Sequence, residues 1–169
     1  MMDNYIQIGK SDVLTLDIRT EDGNSTGECL EFDLEDITLP LKLQEVLEKD
    51  KKNKEWLKNQ MLIIDKKQDV KGKKLLSKND EDRIKALNDF FNKEIEIYNI
   101  FLGDKGVQKL LNGRKPNWTM FEEIDKIIEK QILPHLDIKM ESISKKIKEK
   151  YGKQEEKEIL QWDVRKSYK

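Results

Sequence analysis

Along the chain, two short stretches alternate apolar and polar residues, and everything after them repeats its apolar positions every three or four. Residues 13–18 (VLTLDI) and 29–34 (CLEFDL) have the period of half-buried strands, and the turn formers EDGNSTGE lie between them. This pattern predicts a β-hairpin with a long, loose tip. Leu30, Phe32 and Leu34 keep strict period two and leave Glu31, Asp33 and Glu35 in solvent, whereas Val13 is out of phase with Leu14, Leu16 and Ile18.

From Leu39 the period becomes helical. Leu39, Leu43, Val46 and Leu47 share a face, and after the charged interval EKDKKNKE the stripe resumes at Leu57, Met61 and Ile64. The segment is either one long helix with a solvated middle or two helices broken near Asn53. KKQDVKGKK holds a glycine and no stripe, as an exposed connector does. Ser77 and Asn79 then offer N-caps, Asp80, Glu81 and Asp82 suit the positive end of a helix dipole, and Ile84, Leu87, Phe91, Ile95, Tyr98 and Leu102 form the clearest stripe in the chain. Gly103 is placed to end that helix in a left-handed cap.

A short helix near 105–111 is bounded by Gly113, and Arg114, Lys115 and Pro116 form a tight link. Thr119 and Glu122 have capping-box spacing, with Asn117 as a competing cap. The next helix runs through Phe121, Ile124, Ile127, Ile128 and Ile132 until Pro134 stops or kinks it. A last amphipathic helix carries Ile138 or Met140, then Ile143, Ile147 and Tyr151. These elements predict a mainly α fold, a small helical domain with an N-terminal β-hairpin, spanning 1–151. The charged segment 152–169, anchored only by Ile159, Leu160 and Trp162, is expected to be a flexible or detached-helix tail. The expected core is Leu30, Phe32, Leu43, Leu47, Ile84, Leu87, Phe91, Ile95, Tyr98, Leu110, Leu111, Phe121, Ile124 and Ile128.

Composition narrows the chemistry without naming it. The 169 residues include 33 Lys+Arg and 34 Asp+Glu, so 40% of the chain is charged while the net charge is only -1. One domain fits this length. Apolar stretches stay far below the ~20 residues of a membrane span, and the start of the chain lacks a signal peptide's apolar stretch, so a soluble, cytoplasmic protein is expected. Cys29 and His135 are single residues of their kinds, too few for a disulfide or a zinc cage. Gly103 and Gly106 in GDKG lack the remainder of a phosphate-binding loop, and Glu21–Glu28 lacks calcium-loop spacing. Glu31, Asp33, Glu35 and Asp36 share one wet environment, unlike a tuned acid/base pair. No enzyme activity, cofactor or metal is expected. Lysine clusters at 49–54, 66–74 and 145–153 are interleaved with acids, and only the middle one lacks close compensation, so nucleic-acid binding is not the leading expectation.

The order of elements carries a resemblance. A hairpin with FDLEDITLPLKLQEVLE, a strongly amphipathic helix and then IYNIFLGDKGVQKLLNGRKPNWTMFEEIDKII resembles the small tail assembly chaperones of long-tailed phages and prophages of Gram-positive bacteria. The likeness covers Phe32 to Ile138 and is sharpest from Phe101 to Phe121. The long hairpin tip, the lysine-rich insertion between Lys66 and Lys78 and the extended tail after Gly152 depart from it. The resemblance implies a non-enzymatic protein of the bacterial host cytoplasm that binds and solubilises a long helical tape measure protein during tail assembly.

Such a client exposes apolar stripes that a chaperone covers with grooves of its own. The candidate protein-binding residues are Leu57, Met61, Ile64, Ile143, Ile147 and Trp162, each separated from the central core by charged sequence, and self-association is expected. Phe101, Gly103, Gly113, Arg114 and Trp118 are read as a structural junction. The alternative readings are a nucleic-acid-binding or regulatory phage protein using the lysine-rich loop 66–74, and a tail completion component that stays in the virion.

Overall fold

The computed structural model describes residues 12–151, and the tail predicted beyond Gly152, with Trp162, lies outside them. Two antiparallel strands, β1 (Val13–Arg19) and β2 (Ser25–Asp33), precede five helices: α1 (Leu39–Asp65), α2 (Lys78–Leu102), α3 (Gly106–Leu111), α4 (Trp118–Ile127) and α5 (Leu133–Tyr151). The mainly α fold with an N-terminal hairpin is therefore as the sequence pattern predicts. None of the described helices is long and apolar enough to cross a membrane.

The hairpin tip is tighter than expected. Thr20 and Asn24 close it through a backbone hydrogen bond of 2.9 Å, and β2 starts at Ser25. Leu14 pairs with Phe32 and Leu16 with Leu30, but the register shifts between Asp17 and Arg19. Gly27, at φ +81°, supplies the left-handed residue in the bulge that takes up the extra chain. Polar turn formers such as Ser25 and Thr26 disguise this part of the strand: they bond across the ladder, Ser25 Oγ to Asp17 (2.7 Å) and Thr26 Oγ1 to the Ile18 carbonyl (2.9 Å).

α1 is a single helix with no break at Asn53. It packs against α2 along both lengths, and α2 begins where Ser77 caps the Asp80 N–H. Asn79 is no cap: its amide reaches back to the carbonyls of Ile64 and Lys67, satisfying the orphan acceptors at the end of α1. The predicted stripe of α2 is buried at Tyr98 and Leu102, with Leu87, Phe91 and Ile95 packed against the clusters, but it fails at Ile84 and is not the only buried row. Ile84 is 52% exposed, and the deepest row is Ala86, Phe90, Glu94, Ile97 and Phe101. α2 is buried on two sides, and the stripe read from sequence marks only the side toward α4.

Asn117 caps α4, accepting the Met120 N–H at 3.1 Å, and Thr119 makes no side-chain cap. Pro134 neither stops the helix nor ends it. α4 passes through a π-helical turn at Ile128–Ile132 directly into α5, with the Leu133 N–H bonded to the Ile128 carbonyl. The wider turn absorbs the bond that proline lacks. Ile132 is fully buried there, while Ile138 and Tyr151 are exposed, and Leu136 is the last buried residue of α5.

The main core gathers Leu30, Phe32 and Leu34 from β2 and its exit, Leu39, Leu43 and Val46 from α1, Ile97–Leu102 from α2, then Val107, Leu111, Phe121, Ile124, Ile128 and Ile132. A smaller cluster of Leu57, Ile64, Ala86 and Phe90 fills the outer half of the α1–α2 pair.

Candidate functional site

The junction from Phe101 to Trp118 holds the hairpin to the helices. Phe101 packs against Phe32, ring centroids 5.4 Å apart. Gly103 ends α2 at φ +90°, and the Asn112–Gly113 pair, both left-handed, ends α3. Asn99 bridges the corner: its Oδ1 accepts the Val107 N–H (2.8 Å), and its Nδ2 donates to Gln108. At Gly106 a Cβ would stand 2.6 Å from that of Leu102, so α3 meets α2 where only glycine fits. Arg114 folds back onto the Leu111 carbonyl, and Trp118 lies on Phe90 (4.8 Å) and Phe91 (5.1 Å). Each of these contacts joins elements of the fold.

The proposed binding residues divide by position. Leu57 and Ile64 are buried against Ala86 and Phe90, with Met61 at the edge of that cluster. They close the outer interior of the α1–α2 pair instead of forming an open groove wall. The apolar side chains that this part of the chain does expose include Trp56, Leu62 and Ile63 on α1, Val70, Leu75 and Leu76 on the connector, and Ile84 on α2. Trp56 and Ile63 are seven residues apart and share a helix face. Ile143 and Ile147 are half-buried on α5 beyond Leu136, so the structure brings them to a different region from Leu57, Met61 and Ile64.

The lysine-rich connector is less basic in three dimensions than in sequence. Lys67 and Lys78 both reach Asp82, Lys74 approaches Glu81, and Arg83 pairs with Asp65 and Asp80. α2 thus supplies acidic partners to Lys67 and Lys74, two of the five lysines in 66–74. Among the described residues, no group of three or more His, Cys, Asp or Glu is placed to hold a metal ion.

Between the main core and the outer cluster lies a polar layer that sequence reasoning missed. Glu94 is only 1% exposed, inside the deep row of α2, and Asn53 faces it from α1. The Asn53 amide donates to Glu94 and to the Phe90 carbonyl. Asp50 Oδ2 accepts from Lys54 at 2.8 Å, but Asp50 Oδ1 is buried without a donor. The Glu94 carboxyl lies within hydrogen-bonding range of Asp50, and burial pushes it up to about 8, with the Asp50 charge adding to the effect against the opposing bond from Asn53. A proton on Glu94 would supply the donor that the buried Asp50 Oδ1 otherwise lacks.

Around this pair, burial also raises Asp125, against the bond it accepts from the Tyr98 hydroxyl at 2.7 Å. Burial likewise raises Tyr98. Lys54 is raised although burial, the largest single influence, opposes it: the Asp50 hydrogen bond and the charges of Asp50, Asp125 and Glu94 together prevail. The sequence signal for this layer was a charged residue at 94 in phase with Phe90, Ile97 and Phe101.

No protein-family model matches the chain, and neither the curated proteins nor the solved structures contain a significant match to it.

Proposed function

We propose that the protein is a non-enzymatic assembly chaperone that binds a long helical client, as the tail assembly chaperones it resembles do for the tape measure protein. The observation that carries the reading is the outer half of the α1–α2 pair. Its interior is a small apolar cluster, and Trp56, Leu62, Ile63 and Ile84 remain exposed on its outside amid lysines and acids. An amphipathic client helix gains burial from such a surface, while the surrounding charge keeps the complex in solution. The resemblance from Phe101 to Phe121 supports the same reading through the junction that sets the hairpin on the helices. Its setting would be the bacterial host cytoplasm, and self-association through the same exposed residues belongs to the proposal.

Co-expression with the long helical protein encoded beside it is the test. Soluble co-purification is expected, and Leu62→Asp with Ile63→Asp, both half-exposed, should abolish it with little change in melting temperature. Failure to co-purify, together with steeply salt-dependent binding of duplex DNA by the unaltered chain, would replace the chaperone reading with one based on nucleic-acid binding.

A further inference from the structure

The α1–α2 pair is not one continuous apolar seam. Leu43 and Val46 belong to the main core, Leu57 and Ile64 to the outer cluster, and Asp50, Asn53 and Glu94 lie between them. Outward of that layer the two helices stay tied to each other: Asn79 bonds the carbonyls of Ile64 and Lys67, Arg83 pairs with Asp65, and Lys67 pairs with Asp82. Their side-chain links to the rest of the fold are concentrated at the polar boundary itself, where Phe90 and Phe91 meet Trp118 and Phe91 stacks on Phe121 while packing against both clusters. Such a piece, internally connected but joined to the core across a polar boundary, meets the structural condition for a separate cooperative unit.

We propose that residues 54–90 open as a unit distinct from the main core, with the Asp50–Asn53–Glu94 layer as the line of parting and the proton shared by Glu94 and Asp50 as the latch. When the proton is present, Glu94 is neutral and offers a donor to Asp50, whose buried Oδ1 otherwise has none, and the layer is closed. When it is lost, two carboxylates face each other in a buried site, with a third, Asp125, on α4. Lys54 of α1 is the cation on hand, and its ammonium is already engaged by Asp50; Tyr98, on the same helix as Glu94, donates a hydrogen bond from its hydroxyl to Asp125. Opening hydrates Glu94 and returns it to ordinary carboxylate behaviour. It also exposes Leu57, Ile64 and Phe90, apolar surface that the closed form hides.

Native-state hydrogen exchange of the full chain between pH 5 and 9, read by mass spectrometry and corrected for intrinsic exchange, tests this. Amides of 54–64 and 80–90 are expected to share one opening constant, larger than that of 97–102 and 120–132. That constant should rise about tenfold per pH unit up to about 8, roughly a hundredfold from pH 6 to 8, and then level off. Glu94→Gln should flatten the rise. Asp50→Asn, which removes the facing charge, should make it level off at lower pH, and serves as the check if Glu94→Gln does not fold. A single opening constant for all four segments overturns the separate unit. A rise that persists in Glu94→Gln, or a levelling point unmoved in Asp50→Asn, overturns the latch.

Discussion

Truncating Phe90 and Ile84 separately decides which face of α2 is buried. The two residues lie six apart, Ile84 on the stripe visible in the sequence and Phe90 on the row that the structure buries, at 52% and 1% exposure. Phe90→Ala removes a ring packed among Leu57 and Ala86, and touching Phe91 at 5.3 Å and Trp118 at 4.8 Å. The lost transfer energy and the cavity together cost about 3–5 kcal/mol, with the aromatic pairs, worth ~0.5–1.5 kcal/mol each, placing the value in the upper part of that range. Ile84→Ala takes away a side chain half in water and replaces it with a better helix former, so the change should stay within about 0.5 kcal/mol. Urea unfolding followed by far-ultraviolet circular dichroism gives both numbers directly. An Ile84→Ala cost equal to or greater than that of Phe90→Ala would refute the burial of this second side of α2 and leave the stripe read from the sequence as the face that packs.

Stability should also depend on pH through Glu94. Its carboxyl is raised in the folded chain from 4.5 to about 8, so the stability it contributes is whole below pH 4.5, declines as pH rises toward 8 and is flat beyond. Keeping it protonated at pH 7 costs about 1.4 kcal/mol for each pH unit above 4.5, on the order of 3 kcal/mol; melts of Glu94→Gln should lack this decline, and a parallel decline in both proteins would exclude Glu94 as its source. Asn117→Ala should cost about 1 kcal/mol by uncapping α4, whereas Thr119→Ala should leave the denaturation midpoint nearly unchanged. Gly113→Val, at φ +79°, should lower stability by about 1–2 kcal/mol in the same assay, and an unchanged midpoint would show that the backbone there is not held left-handed.

The parts of the fold legible in the sequence are those written in local signals. Leu30, Phe32 and Leu34 alternate because one face of β2 is wet, Ser77 caps because its hydroxyl meets a free N–H, and Gly103 and Gly113 stand where the chain turns left-handed. The missed features depend on partners distant in sequence. Glu94 reads as a surface residue until Asn53, 41 positions earlier, is seen to hold it, and Asn53 reads as a helix breaker until Glu94 is seen to need it. Periodicity likewise registers one apolar stripe on α2 but not a second interrupted by a carboxylate. The candidate residues Leu57 and Ile64 stand apart from the core in sequence because charged residues intervene, yet the antiparallel return of α2 brings Ala86 and Phe90 over them.

The π-helical turn at Ile128–Ile132 gives the molecule an angular adjustment. Each residue added to or removed from an α-helix turns everything beyond it by about 100° and shifts it by about 1.5 Å. Deleting one residue to convert the turn to regular α-helix would therefore leave α4 seated and swing α5 around its own axis. Lys139 would leave Glu35 and Asp12, which it now grips at 2.9 Å, and Ile143 and Ile147 would face another direction. The bearing of the last helix is thus encoded in a single turn, and a chain-length change there would re-aim the rod only by drawing Leu136 out of the core it now completes.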